Sequence, residues 1–411
     1  MKEIFIHVPD YGINDLESFI DRNNQFYLFG ADEEGEYCLE WLKKRNKQVK
    51  AFVDNDKNKI GNYISNIVIE SLDNVKDMTS KFIITSIHSD EIAKQLEKRG
   101  FKLFEHYISY DNLYWIDEKQ FLDCIGLDFY NSFSKNKDKF YEVLSLLQDD
   151  YSRDIFSRII NFRLTSLTPI IRGKEYLPLP LEIHKERGRK KGEKRRGLYT
   201  EIKGRYSKSE EEMLVNNTVN ATYEYFDIIK NENLKVIIDA GGFIGDTAIG
   251  FAYKNPSGIV YSFEPSEIGF EKIKILSRDF PNIYPVKKGL WNENCPLLFN
   301  EGEKQSNGSR VGEGNKIIDG ITLDSFIQAQ CISKVDFIKM DIEGAELNAL
   351  DGARYVIERD KPDLAICIYH SPTDLWEIPL WIKRNFPEYK IYIDHTDGMF
   401  VWGTVCFATV R

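Results

Sequence analysis

The sequence lacks any long apolar run. None of its hydrophobic stretches approaches the ~20 residues needed to cross a bilayer, and Met1 to Asp10 lack the apolar core of a secretory leader. Cysteine is sparse and scattered. Cys38, Cys124, Cys295, Cys331, Cys367 and Cys406 form no Cys-x-x-Cys pair, which leaves a zinc ribbon or dithiol motif without support. Isolated cysteines, some within strand-like segments, read as reduced core residues of a cytoplasmic protein. Positive charge is in deficit: 55 Lys and Arg stand against 65 Asp and Glu, a net charge of −10. Polyanions are bound through clustered Lys and Arg, so no nucleic-acid partner is expected, and no membrane span either.

What is present suits a globular chain of about two or three domains: 411 residues, 42% hydrophobic and 29% charged. The first 110 residues alternate strand and helix. Strands are expected at Phe26–Gly30, Val49–Val53 and Lys81–Thr85, with helices at Glu33–Arg45 and Ser89–Arg99. Residues 111–215 read as a helical linker, with helices at Lys137–Gln148 and Arg153–Phe162. An irregular stretch punctuated by Pro169, Pro178 and Pro180 follows, and then a basic loop: Lys185 to Arg196 holds eight Lys or Arg among twelve residues. Alternation resumes over 216–411. Strands are expected at Val236–Asp239, Ile259–Phe263, Ile283–Val286, Phe337–Met340 and Leu364–Ile368. A hairpin of Tyr389–Ile393 and Val401–Ala408 closes the chain around His395-Thr-Asp-Gly398.

The most informative segment is Val236 to Thr247, a strand that runs through Asp239 into Gly241, Gly242 and Gly245 and then into a helix. Glycine permits the turn, and the helix start offers unpaired amides to a phosphate or a carboxylate. Asp239 helps to choose between them, because a carboxylate there suits a ligand ammonium or the loop amides. A dinucleotide fingerprint has a plain apolar strand up to its first glycine. Glu264 follows Gly245 by 19 residues, at the end of the next strand, where an acid takes both ribose hydroxyls. Asp341 ends another strand at the ligand-binding edge of the sheet, and Glu346 opens the next helix, where an acid also suits the helix dipole. His370 follows a further strand and suits proton transfer near neutral pH.

Together these segments resemble the FkbM-type methyltransferases. The residues that carry the resemblance are Asp239-Ala-Gly-Gly-Phe-Ile-Gly-Asp-Thr247, Phe263-Glu-Pro265, Thr322-Leu-Asp324, Asp336 to Glu346, and Ile366-Cys-Ile-Tyr-His370. The resemblance implies a Rossmann-like class I methyltransferase sheet with a C-terminal antiparallel hairpin and S-adenosylmethionine as donor. The acceptor it implies is a sugar or other small metabolite, methylated on oxygen. It carries over Gly241, Gly242, Gly245 and Glu264 as donor contacts, and Asp341, Glu343 and His370 as acceptor-side residues. His370 or Asp341 would serve as base. The same three side chains could instead hold a divalent cation, magnesium or calcium before zinc. Rivals are a non-catalytic nucleotide-binding scaffold and a nicotinamide oxidoreductase.

The amino-terminal α/β unit resembles the small Rossmann-like domains of sugar-modifying and polysaccharide enzymes. Gly30-Ala-Asp-Glu-Glu-Gly35 keeps two glycines of the dinucleotide fingerprint, but Asp32 replaces the middle one. Three acids there disfavour a phosphate, although Asp54 is placed to take a ribose. A nucleotide-sugar site, or a structural or homo-oligomerising role, is expected instead. The basic loop is expected to be solvated, with steering of an anionic sugar or nucleotide-sugar acceptor as the sharper alternative.

Overall fold

The structure is a computed structural model. It describes residues 12–411 except 87, 111–112, 114–115, 117–123, 166–177, 205–207, 209–210, 213–214, 216–222, 301–309, 313, 315 and 397–400. The leader assignment at Met1 to Asp10, Pro169 and the hairpin residues Asp397 and Gly398 lie outside that set. No helix among the described residues is long and apolar enough to cross a membrane.

The chain forms two compact units. One comprises Met1–Lys135 with Ser157–Pro178, the other Asn136–Phe156 with Leu179–Arg411, so the segment 111–215 is shared between them. The first unit holds β1 (Gln25–Phe29), β2 (Gln48–Val53), β3 (Tyr63–Ile64), β4 (Ile67–Glu70), β5 (Phe82–Ile84) and β6 (Tyr107–Ser109) in the order β3-β4-β2-β1-β5-β6. All pairs are parallel except β3 with β4. The three strands expected here are present, as are the helices Glu33–Lys44 and Ser89–Lys98. Phe29, Val53, Phe82 and Leu96 belong to its core.

The second unit holds β7 (Val236–Ala240), β8 (Ile259–Phe263), β9 (Ile283–Val286), β10 (Gly289–Leu290), β11 (Pro296–Asn300), β12 (Arg310–Val311) and β13 (Lys316–Ile321). It continues with β14 (Phe337–Met340), β15 (Asp363–Cys367), β16 (Lys390–His395) and β17 (Thr404–Thr409). Its main sheet has the order β16-β17-β15-β14-β7-β8-β9, with β17 antiparallel to both neighbours and the other pairs parallel. This is the Rossmann-like methyltransferase sheet with its terminal hairpin. β7, β14 and β15 are buried along almost their whole length because helices cover both faces of a parallel sheet, which explains their near-continuous apolar runs. A four-stranded sheet, β10-β13-β11-β12, was not expected. Its strands are short, and its small core of Leu297, Phe299 and Ile318 leaves a weak pattern.

The basic loop is also corrected. Leu181–Ile202 is one helix. A run dense in charge reads as a loop when only its lack of apolar residues is weighed. Ion pairs one turn apart, Glu186–Lys190 at 2.6 Å and Arg189–Glu193 at 2.7 Å, support the helix instead. A tertiary anchor fixes it: Arg187 donates to Asp394 at 2.7 Å, to the Tyr151 hydroxyl at 2.8 Å and to the His395 carbonyl at 2.9 Å.

Asp394 is 5% exposed, so removing its partner strands a buried carboxylate. Arg187→Ala should destabilise this unit by about 2–4 kcal/mol, read as a lowered denaturation midpoint in urea. An unchanged midpoint would show the pair to be incidental.

Candidate active site

The site is assembled at the carboxyl ends of β7, β8, β14 and β15. Strand register sets its base. Lys339 on β14 lies beside Asp239 on β7, which lies beside Ser262 on β8. In this row Asp239, fully buried, accepts hydrogen bonds from Ser262 and from Thr247, both at 2.8 Å, and pairs with the Lys339 ammonium at 3.2 Å. Lys339 also donates to the carbonyls of Ala240 at 3.1 Å and Gly241 at 2.8 Å. Burial works against its charge, but Asp239 and then Asp341 more than reverse this, so Lys339 is held protonated above its ordinary pKa. Asp239 therefore meets hydroxyls and an ammonium within the protein, and it fixes both ends of the glycine loop.

The loop is tight. Gly241 has φ +81°, and a Cβ there would meet the Asp341 carbonyl oxygen at 1.8 Å. Gly245 has φ +89° and caps the helix Asp246–Lys254 in the left-handed region. A Cβ on Gly242 would meet Ser262 Oγ at 2.3 Å. The loop thus needs glycine to lie flat between β7, β8 and β14, leaving the start of the helix at the sheet edge.

Glu264, 8% exposed, accepts from the backbone amides of Phe243 at 2.8 Å and Ser266 at 2.9 Å. Burial pushes its pKa up to about 7, against the pull of those amides and Lys339. Thr322 and Asp324 have structural roles: Thr322 caps the helix Leu323–Ala329, and Asp324 accepts the first amides of the helix Arg354–Asp360.

At the other side of the β7–β14 edge, the structure brings Asp341, Glu343 and His370 together. His370 Nε2 lies 3.4 Å from Asp341 and 3.6 Å from Glu343, and Nδ1 lies 3.1 Å from Glu346. Asp341 also accepts from Tyr369 at 2.7 Å and Tyr223 at 3.1 Å. Glu343 has φ +56° and Gly344 φ +96°. A non-glycine residue in that region stores roughly 1–3 kcal/mol of strain, and here the turn places the Glu343 carboxylate beside the imidazole. Burial would lower the pKa of His370, but Glu346, Asp341 and Glu343 together hold it well above its ordinary value. Burial likewise raises Asp341, while His370, Lys339 and Tyr369 pull it well below the carboxylate range. His370 is thus an imidazolium at neutral pH.

Lys339, Tyr223 and Tyr369 were not anticipated. A lysine inside the apolar run Phe337-Ile-Lys-Met340 was the available signal for the first, since an unpaired ammonium is not buried in a sheet. Tyr223 lies 118 residues before Asp341, and only the fold brings it to that carboxylate. In the amino-terminal unit, Asp32 caps its own helix through the Gly35 amide, and Asp54 accepts from the Ala31 amide and from Lys59. These are the positions a phosphate and a ribose would use.

A family model described as the methyltransferase FkbM domain matches residues 239–391. Residues 239–391 form an FkbM-type methyltransferase domain. A second model, C2185-like, N-terminal, matches residues 22–103. The hexuronic acid methyltransferase AglP of Haloferax volcanii is 28% identical over 120 residues, which cover 28% of this chain and 49% of that protein. The chain spans about half the length of that curated relative. The solved structure of a methyltransferase FkbM from Methylobacillus flagellatus is 20% identical, with a TM-score of 0.57 over 99% of this chain and 95% of that one. It shares the fold.

The raised pKa of Glu264 has a definite consequence. Between its unfolded value near 4.5 and about 7, the folded protein keeps a proton that the unfolded chain has lost. Its contribution to stability is therefore present at low pH and lost as pH rises through about 7. The stability of the wild type relative to Glu264→Gln should fall by roughly 2.5 kcal/mol between pH 5 and pH 8. Paired urea titrations at the two pH values measure this, and a constant difference would contradict it.

Proposed function

We propose that the FkbM-type domain transfers a methyl group from S-adenosylmethionine to a hydroxyl of an acidic sugar or a related small metabolite. The observation that carries this reading is the pairing of the glycine loop with buried Glu264 on one side and the Asp341–Glu343–Glu346–His370 cluster on the other, across the ends of β7 and β14. The start of the helix Asp246–Lys254 offers amides to the donor carboxylate. Glu264 exchanges its backbone partners for the ribose hydroxyls. The carboxylate surplus around β14 suits a cationic sulfonium.

In the transfer, the sulfur–methyl bond breaks as the oxygen–methyl bond forms, and the hydroxyl proton must leave. Alignment of the acceptor oxygen with the methyl group supplies much of the acceleration. His370 holds a proton already and cannot take another, so its role is to position the carboxylates. Asp341 accepts from both tyrosines and faces His370, which makes it a weak base. Glu343, 21% exposed at its side chain, is assigned as the proton acceptor.

An acidic acceptor is supported by two features. The relative AglP is named for hexuronic acid. The basic helix Leu181–Ile202 is anchored through Arg187 to Asp394 and His395 at the end of β16, a strand parallel to β15, so its anchor lies at the same sheet edge as His370. Cations there would raise the local concentration of an anionic substrate.

S-Adenosylhomocysteine at about 100 times its dissociation constant should stabilise the protein by roughly 2.7 kcal/mol, measured by thermal shift. NAD should give no shift, and the reverse pattern would overturn the donor assignment. With an acceptor found by screening sugar acids for a gain of one methyl group, Glu343→Gln should lower kcat by roughly 10²–10⁴-fold and leave the S-adenosylhomocysteine shift intact. Full turnover in that variant would remove Glu343 from the proton path.

A further inference from the structure

The ligand-capable atoms of Asp341, Glu346 and His370 all lie within 4.8 Å of one another. Opposite ligands of one divalent ion stand roughly 4.0–5.2 Å apart, twice a metal–ligand distance. The cluster is closed on one side and open on the other. His370 and Glu346 have side chains 0% and 1% exposed, whereas Asp341 and Glu343 are 25% and 21% exposed. An ion would enter from the open side and be held against the buried one.

A second observation is independent of this spacing. One oxygen of Glu346, Oε1, accepts the Ile342 amide at 2.8 Å. The other, Oε2, is buried and has no hydrogen-bond partner among the described residues. Leaving a buried carboxylate oxygen without a donor is costly, and such an oxygen in a polar cavity calls for a cation or a donor that the protein does not supply. The charges agree: among the described residues Asp239 pairs with Lys339, and Asp341, Glu343 and Glu346 gather around His370.

We propose that Asp341, Glu346 and His370 form a divalent-cation site, with manganese or magnesium as the class of ion. Two carboxylates and one imidazole, whose proton the ion displaces on binding, give three protein ligands and leave about three of six positions for water and the acceptor. This rests on the methyl-transfer reading for its purpose: an ion there would hold an acceptor hydroxyl beside the donor methyl group and acidify it, so that Glu343 receives a proton already loosened. The binding claim itself does not depend on that reading.

The test uses the full chain, stripped with a chelator and titrated with manganese alone. Electron paramagnetic resonance should show one ion bound per chain, with a matching thermal shift. Glu346→Gln keeps a carbonyl for the Ile342 amide and should weaken manganese binding at least 10-fold, as should His370→Ala. Both variants should keep the wild-type shift with S-adenosylhomocysteine, which shows that they are folded. Wild-type manganese affinity in both variants, or no bound manganese at millimolar concentration, would overturn the site. Loss of the S-adenosylhomocysteine shift in the wild type would instead overturn the donor reading, whatever manganese does.

Discussion

The buried pair of Lys339 and Asp239 is the constraint on which the rest of the site depends. It lies in the middle of a parallel sheet, where each charge would be prohibitive alone. Together with Ser262 and Thr247 the pair leaves no oxygen of Asp239 unmatched, and the same ammonium reaches the carbonyls of Ala240 and Gly241. One lysine thereby ties β14 to the strand and the loop that begin the site. The close approach of Gly241 to the Asp341 carbonyl follows from this clamp, and so does the need for glycine there.

The clamp divides the edge of the sheet into two environments. On the Glu264 side a carboxyl group is buried against two backbone amides, and that burial raises its pKa. On the β14–β15 side, carboxylates gather around one imidazole and two tyrosines. Burial alone would neutralise His370 and protonate Asp341; their mutual attraction reverses both tendencies. The result is a cluster in which His370 is held protonated and Asp341 ionised. That suits a reaction in which a cationic donor loses its charge and a hydroxyl loses its proton.

The two units handle their glycine loops differently. In the amino-terminal sheet the acids near Gly30 bond to their own backbone, Asp32 to Gly35 and Asp54 to Ala31, with Lys59 completing the pair. In the carboxy-terminal unit the cap is Gly245, Asp246 in the first turn takes the Thr247 amide, and Glu264 lies past the end of the next strand, bonded to the Phe243 amide. The difference comes from where the carboxylate sits relative to the first helical amides: an acid at the cap satisfies them, and an acid across the loop does not.

Much of this was legible in the sequence. The strands Ile259–Phe263 and Phe337–Met340 show as apolar runs bounded by turns, because both faces of a parallel sheet are covered. Gly241, Gly245 and Glu264 stand out because a sharp turn and a strand-end acid are local requirements, written at fixed spacing. Local pattern misled at Lys185 to Arg196, where ion pairs a turn apart and the distant Asp394 favour a helix, and it was silent on the small β10–β13 sheet. The charge state of His370 was beyond it altogether. That state depends on Asp341, Glu343 and Glu346 closing around a buried ring. Tyr223, more than a hundred residues earlier in the chain, reaches the same carboxylate. The sequence by itself determined the strands, the turns and the candidate side chains, because these follow from periodicity and backbone sterics. The tertiary structure alone decided which charges meet, and so which groups hold protons, because electrostatic energy depends on distance and burial.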